Sequence, residues 1–178
     1  GLLSHKDFKD HETTWVNPIA TDYRGYTIYE LPPNGQGVTV LEMLNILEGY
    51  EISGMGHNSP EYLHHLIEAK KIAFRDRDSL VTDPEFENIP VDQLLSKDYA
   101  GQCRARISSD KAMVLPLISF YPLSSDTVYV TAVDQKKNAV SFISSIFMPF
   151  GSGMTVDGTG ITRIIGEVVA GVLEAFKK

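Results

Sequence analysis

Apolar and polar positions recur along this chain first at helical spacing and later at strand spacing, and the change of period divides it. Tyr26 to Leu31 alternates and reads as a strand, ended by Pro32-Pro33. Asn34-Gly35-Gln36-Gly37 supplies a turn. From about Val38 to Gly49, Leu41, Leu44 and Leu47 fall at three-residue steps and predict a helix, which Gly49, Gly54 and Gly56 break. A further helix has a clear start. Ser59 is its cap, Pro60 suits its first position, and Glu61 faces the positive end of its dipole. Leu63, Leu66, Ile67, Ala73 and Phe74 are its expected buried face, and Asp76-Arg77-Asp78-Ser79 its polar end. A helical region follows from about Val91 to Ile107, which Ser96 divides if it recaps the chain. Residues 1 to 22 read as loop and short helix, with Trp15 as a packing anchor.

The period shortens after residue 124. Ser125-Asp126-Thr127-Val128-Tyr129-Val130-Thr131-Ala132-Val133-Asp134 is a strand-forming run, joined by the turn Gln135-Lys136-Lys137-Asn138 to a second, Asn138 to Ser145. A run this apolar predicts a strand covered on both faces. The last segment carries Ile161, Ile164, Ile165, Val168, Val169, Val172, Leu173 and Phe176, an amphipathic helical stripe over 161–178. Such a stripe covers a sheet face or meets a partner, either a second copy or a complementary subunit.

Composition narrows the functions. A chain of 178 residues with 43% hydrophobic content suits one domain with a sizeable core. A net charge of −7 and no dense basic patch argue against nucleic acid or an anionic membrane surface as a partner. No signal peptide or membrane span is visible. The single Cys103 excludes an internal disulfide framework and reads as a half-buried helix residue. No cofactor or metal is expected. Gly151-Ser152-Gly153 and Gly158-Thr159-Gly160 lack the Lys-Ser/Thr of a phosphate loop and read as turns. His64-His65 with Glu68 offers a helical ligand pair without the further ligands a metal needs. His5, His11 and His57 read as surface residues, and Asp76, Asp78 and Asp83 as a solvated helix end.

The candidate chemistry lies at Thr127. Threonine is common in strands because its branched side chain suits a pleated surface. At a strand tip it has a second use. Cleavage between Asp126 and Thr127 places a free α-amine beside the hydroxyl, and a neutral amine can act as its general base.

The surroundings of Thr127 resemble the γ-glutamyltransferase family over roughly residues 1 to 160. The resemblance rests on ordered blocks: Gly1-Leu2-Leu3-Ser4-His5-Lys6-Asp7-Phe8; Trp15 and Pro18; Tyr23 through Gly37; Leu41 through Glu48; Glu68 through Arg77; Asp83-Pro84-Glu85-Phe86; and Leu95 through Ala100. It implies an α+β fold, a partial αββα-type sandwich of the N-terminal-nucleophile hydrolases, to which the predicted C-terminal helix is an addition. Residues 1–126 would be a mainly helical, large-subunit-like segment, and 127–160 the start of a small-subunit-like sheet.

The resemblance also implies roles. Thr127 stands at the family's nucleophile position, seven residues before Asp134. Its hydroxyl would attack the Asp126 carbonyl in self-cleavage, and later the carbonyl of a γ-glutamyl or similar small amide. The acyl group would then pass to water or an amine. Ser145 falls where the family places a hydroxyl that hydrogen-bonds the nucleophile. Without the resemblance, Ser145 reads equally as a backbone-bonded strand serine.

Three departures qualify the likeness. Val128 replaces a second threonine, and Phe147 replaces an asparagine that contacts the γ-glutamyl head, which opens an alternative, cephalosporin-acylase-like substrate. The family's substrate-binding arginine would precede Gly1, and its oxyanion donors would follow Gly160. Each missing donor costs about two to three powers of ten in rate, so the chain by itself is expected to be weakly active or inactive. A non-catalytic remnant or assembly module of the same fold is the competing reading.

Overall fold

The structure, a computed structural model, describes residues 4–114, 127–136, 138–145 and 171–174. The elements run α1 (His5–Asp10), β1 (Ile19–Tyr23), β2 (Tyr26–Glu30), α2 (Gly37–Leu47), α3 (Pro60–Leu80), α4 (Val91–Leu94), α5 (Lys97–Arg104), β3 (Thr127–Val133), β4 (Ala139–Ser145) and β5 (Gly171–Glu174). A 3-10 turn, Ile52–Gly54, precedes α3. The architecture is α+β, helices with small antiparallel sheets. The chain forms two compact units, one of Val16–Ile118 and one of Gly1–Trp15 with Ser119–Lys178.

The Val16–Ile118 unit opens with the β1–β2 hairpin, where Tyr23 pairs with Tyr26 across the two-residue loop Arg24-Gly25. Both loop residues have positive φ, 50° and 84°, which is the twist a two-residue hairpin requires. The pattern of the chain predicts β2 but gives loop for residues 19–22. Ile-Ala-Thr-Asp has little strand signal of its own, and its extended form depends on the ladder with β2.

α2 begins where Gly37 lets the backbone pass close to β2. A Cβ there would lie 2.7 Å from the Leu31 carbonyl oxygen. At its other end Arg104 Nη1 donates to the Asn45 carbonyl at 2.9 Å, occupying an acceptor that the helix terminus leaves open. Ser59 caps α3 by accepting from Tyr62 N at 3.1 Å, with Pro60 in the first turn. Ser96 repeats the device at 3.1 Å from Tyr99 N, so α4 and α5 are separate helices, as the recapping serine predicts.

The core of this unit joins Ile46 and Leu47 of α2, Ala69 and Ile72 of α3, and Ala100 and Cys103 of α5. Three details differ from the sequence reading. Leu63 and Ile67 of α3 are exposed at 41% and 50%, and the buried face instead carries His65, Glu68, Ala69, Ile72, Ala73 and Asp76. Large apolar residues alone do not mark the interior face, because small alanines and hydrogen-bonded polar groups let α2 and α5 approach closely. Asp76 is therefore an interior residue, and α3 continues past it to Leu80. Cys103 is fully buried rather than half-buried.

In the other unit β3, β4 and β5 form an antiparallel sheet in that order. The β3–β4 turn is held by Asp134. Its Oδ1 accepts from Lys136 N at 2.8 Å and Asn138 N at 2.9 Å, and its Oδ2 accepts from Asn138 Nδ2 at 2.7 Å. These amides hold the exposed carboxyl below its ordinary value, led by the backbone amide of Asn138.

Three expectations are corrected here. β3 is not covered on both faces, since Val128, Tyr129, Val130 and Val133 are all exposed. An apolar run records a strand's affinity for cover, but the cover must come from another layer. Trp15 is 82% exposed and is not a buried anchor. The predicted helix over 161–178 is interrupted by a strand, because Gly171–Glu174 pairs with β4, Ile143 opposite Gly171 and Val140 opposite Glu174. β4 has a row of backbone donors and acceptors on its free side, and satisfying them outweighs a helical stripe rich in β-branched residues that also suit strands. Residues 161–170 and 175–178 lie outside the described residues.

Candidate functional site

The β3–β4 hairpin carries the candidate site. Its register runs from Val133 opposite Ala139, beside the turn, to Thr127 opposite Ser145 at the open end. The two hydroxyl residues singled out in the sequence are thus direct cross-strand partners. In an antiparallel pair, directly opposed residues have their Cβ atoms about 4.5–5.5 Å apart and project from the same face. The register is doubly fixed. Asp134 N donates to the Asn138 carbonyl at 2.9 Å, and Tyr129 Oη meets Ser141 Oγ at 2.7 Å. A slip of one residue would break this pairing and set Thr127 opposite Ser144. Asp126 and Phe147, and the glycine-rich stretch 151–160, lie outside the described residues.

The Val16–Ile118 unit contains polar clusters that the sequence does not reveal. Asn45, fully buried, accepts from Thr21 Oγ1 at 2.6 Å and from Lys97 Nζ at 2.6 Å, and donates to the Leu95 carbonyl at 2.9 Å. Lys97 also pairs with Glu48 at 2.6 Å, so β1, α2 and α5 converge on one ammonium. Glu48 is held below its ordinary value by its hydrogen bonds from Lys97 and from the Arg24 backbone. The residues read as a helical ligand pair are all engaged. His64 Nε2 donates to the Ser108 carbonyl at 2.7 Å, and His65 Nδ1 to the Glu61 carbonyl at 2.8 Å. Glu68 accepts from Lys71 Nζ at 2.7 Å and Met113 N at 2.8 Å.

A second cluster is deeper. Glu42, Asp76 and Cys103 are all buried, and one oxygen or sulfur atom of each lies within 4.8 Å of the others. The signal for it was present as an acid inside an apolar stretch of α2, Leu41-Glu42-Met43-Leu44, but its partners are 34 and 61 residues away.

The comparisons with known proteins assign the family. The model of the family described as Gamma-glutamyltranspeptidase matches residues 1–163. The chain belongs to the γ-glutamyltranspeptidase family. Among relatives, it is 47% identical over 155 residues to the glutathione hydrolase-like YwrD proenzyme of Bacillus subtilis, covering 87% of this chain and 29% of the relative. It is 39% identical over 162 residues to an acylase ACY 1 proenzyme of a Pseudomonas species, covering 90% of this chain and 29% of that one. Among solved structures, the cephalosporin acylase of Bacillus halodurans superposes with a TM-score of 0.75 at 41% identity, over 92% of this chain and 29% of that one. The γ-glutamyltranspeptidase of Helicobacter pylori gives a TM-score of 0.61 at 29% identity, over 64% of this chain and 33% of that one. This γ-glutamyltranspeptidase-family chain therefore spans under a third of the length of the curated relatives it matches. Among the described residues no helix is long and apolar enough to cross a membrane.

Proposed function

We propose that this chain is the part of a γ-glutamyltransferase-type N-terminal-nucleophile hydrolase that carries the self-cleavage point and the nucleophile. Residues 1–126 are then its large-subunit-like segment and residues 127–160 the start of its small-subunit-like sheet, the two contributing to an αββα sandwich in the whole protein. The observation that carries the reading is the pairing of Thr127 with Ser145.

In this reading the Thr127 hydroxyl attacks the Asp126 carbonyl carbon. The acyl group moves from nitrogen to oxygen, and water hydrolyses the resulting ester. The products are a carboxylate at Asp126 and a free amine on Thr127. That amine takes the hydroxyl proton when Thr127 attacks a γ-glutamyl or related amide, and the leaving amine carries the proton away. The acyl-enzyme then passes to water or to an amine acceptor. Ser145, opposite, supplies a hydrogen bond that fixes the nucleophile's hydroxyl. The oxyanion that forms in each step needs further hydrogen-bond donors, each worth about two to three powers of ten in rate.

A specific observation favours a second substrate class. Phe147 can neither donate nor accept a hydrogen bond at the position where an asparagine would meet the γ-glutamyl head. The similarity to relatives named acylase agrees with an acyl group of another kind.

The test uses the whole protein and its Thr127→Ala variant. Mass spectrometry is expected to find a fragment beginning at Thr127 in the first and an intact chain in the second. Hydrolysis of a chromogenic γ-glutamyl anilide, compared with an acyl amide of the cephalosporin type, then distinguishes the substrate classes. Equal hydrolysis by both proteins would leave the non-catalytic reading standing.

A further inference from the structure

Glu42 is 1% exposed and Asp76 5% exposed, one on α2 and one on α3. Asp76 is well supplied with donors. Arg75 Nε and Nη2 both reach its Oδ1, at 2.8 and 2.6 Å, and Tyr99 Oη of α5 reaches its Oδ2 at 2.6 Å. Glu42 has no such support, and its Oε1 is a buried oxygen without a hydrogen-bond partner. A buried carboxylate without donors is among the most costly groups a protein can hold, whereas the neutral acid is cheap and can itself donate. Within this cluster the charge therefore belongs on Asp76 and a proton on Glu42.

We infer that Glu42 is a neutral carboxylic acid that donates its proton to Asp76, and that this shared proton is a pH-sensitive clasp closing α2 on α3 and α5. Burial first, and the negative charge of Asp76 second, push Glu42 up to about 8, and a hydrogen bond between the two acids acts in the same direction. The groups around Glu42 agree. Among the described residues, the cation that acts on Glu42 is Arg75 of α3, and it is already committed to Asp76. Tyr99 and Cys103 of α5 both have their protons held more tightly by burial, so neither adds a negative charge at neutral pH. From the other elements against α2, Asp22 of β1 accepts from Thr27, Glu30 of β2 lies over Gly37, and Asp92 of α4 is exposed. The clasp involves neither Thr127 nor Ser145 and does not depend on the functional reading of that pair.

The direction with pH follows from the raised value. Below about pH 4.5, the ordinary value of the group, both folded and unfolded chains hold the proton and the clasp is at full strength. From there to about 8 the unfolded chain has lost the proton and the folded chain keeps it, so stability falls as pH rises. Above that range Glu42 ionises beside Asp76 and the clasp is lost. Within the window this one group lowers the folded-to-unfolded ratio by about tenfold per pH unit.

The experiment compares the whole protein with Glu42→Gln, which keeps a donor for Asp76 but cannot titrate. Denaturant unfolding of both is followed from pH 5 to pH 9. The expected result is a wild-type advantage at the acid end that shrinks steadily toward the alkaline end. Infrared difference spectra of the folded wild type supply a readout that does not depend on the variant folding. A protonated-carboxyl band is expected at pH 7 and is lost on titration to pH 9. A wild-type-to-variant difference that does not change with pH, or a folded protein without a protonated-carboxyl band at pH 7, would overturn the inference. So would a cadmium–thiolate absorbance at Cys103 that requires Glu42, because the cluster would then be a cation site.

Discussion

Thr127 and Ser145 face each other as the last pair of the β3–β4 ladder, at the end opposite the Asp134 turn. A turn sets a register, and the register brings two hydroxyl residues far apart in sequence to neighbouring positions. The arrangement needs no other element to place the pair, so the hairpin's local chemistry decides the geometry on which the functional reading rests.

Removal of the nucleophile gives the largest expected effect. Thr127→Ala abolishes the fragment beginning at residue 127 and lowers hydrolysis in the whole protein by roughly four or more powers of ten, in line with losing a catalytic nucleophile. Thr127→Ser keeps the hydroxyl and retains both. Mass spectrometry and initial rates with an anilide substrate check the two variants.

Ser145→Ala tests the cross-strand partner. One hydrogen bond to a neutral hydroxyl is worth about 0.5–1.5 kcal/mol. The expected loss is therefore roughly two- to tenfold in kcat, with KM little changed. A variant rate equal to wild type would remove Ser145 from the site.

The helix caps predict a stability effect without an active-site effect. Ser59→Ala and Ser96→Ala each remove one side-chain acceptor from a helix N-terminus, and each is expected to cost about 1 kcal/mol. Substitution by Gly costs only a few tenths. Urea unfolding of the alanine and glycine variants measures the difference.

The core predicts larger losses. Ile72 is fully buried between α2 and α5, and Ile72→Ala is expected to cost about 2–5 kcal/mol. Gly37→Ala sets a methyl against the Leu31 carbonyl oxygen, which belongs to backbone and cannot swing away, for an expected cost of about 1–3 kcal/mol. Thermal melts of both variants provide the check.

Acid weakens the protein at Glu68. Burial pushes this carboxyl up, but hydrogen bonds from Lys71 and the Met113 amide outweigh it and hold the group below its ordinary 4.5. Its stabilising contribution is present above that value and is lost as pH falls through the lowered one. Glu68→Gln is expected to be less stable than wild type at pH 7, with the difference narrowing as the medium is acidified below pH 4. Unfolding midpoints at the two pH values measure it.

Much of the framework was legible in the chain. Ser59-Pro60 and Ser96 mark helix starts because a side-chain oxygen meets an amide three residues on, a contact that depends on nothing remote. The β3–β4 hairpin was visible for the same reason, since its turn and strands adjoin. Asp76 was not legible, because the same Asp-Arg-Asp-Ser run describes a solvated end or a buried ion pair, and only the approach of Tyr99 and Glu42 distinguishes them. The strand at Gly171–Glu174 was not legible, because β-branched residues at helical spacing suit either element until an unpaired strand edge competes for their backbone.

The sequence by itself determined the caps, the hairpin with its candidate pair, and the family pattern, all of which rest on short-range hydrogen bonds and ordered motifs. Only the tertiary structure decided which face of α3 is interior, that β3 stands exposed, and that Glu42 lies against Asp76. Those outcomes depend on which surfaces meet, and burial changes the cost of a charge far more than local sequence can.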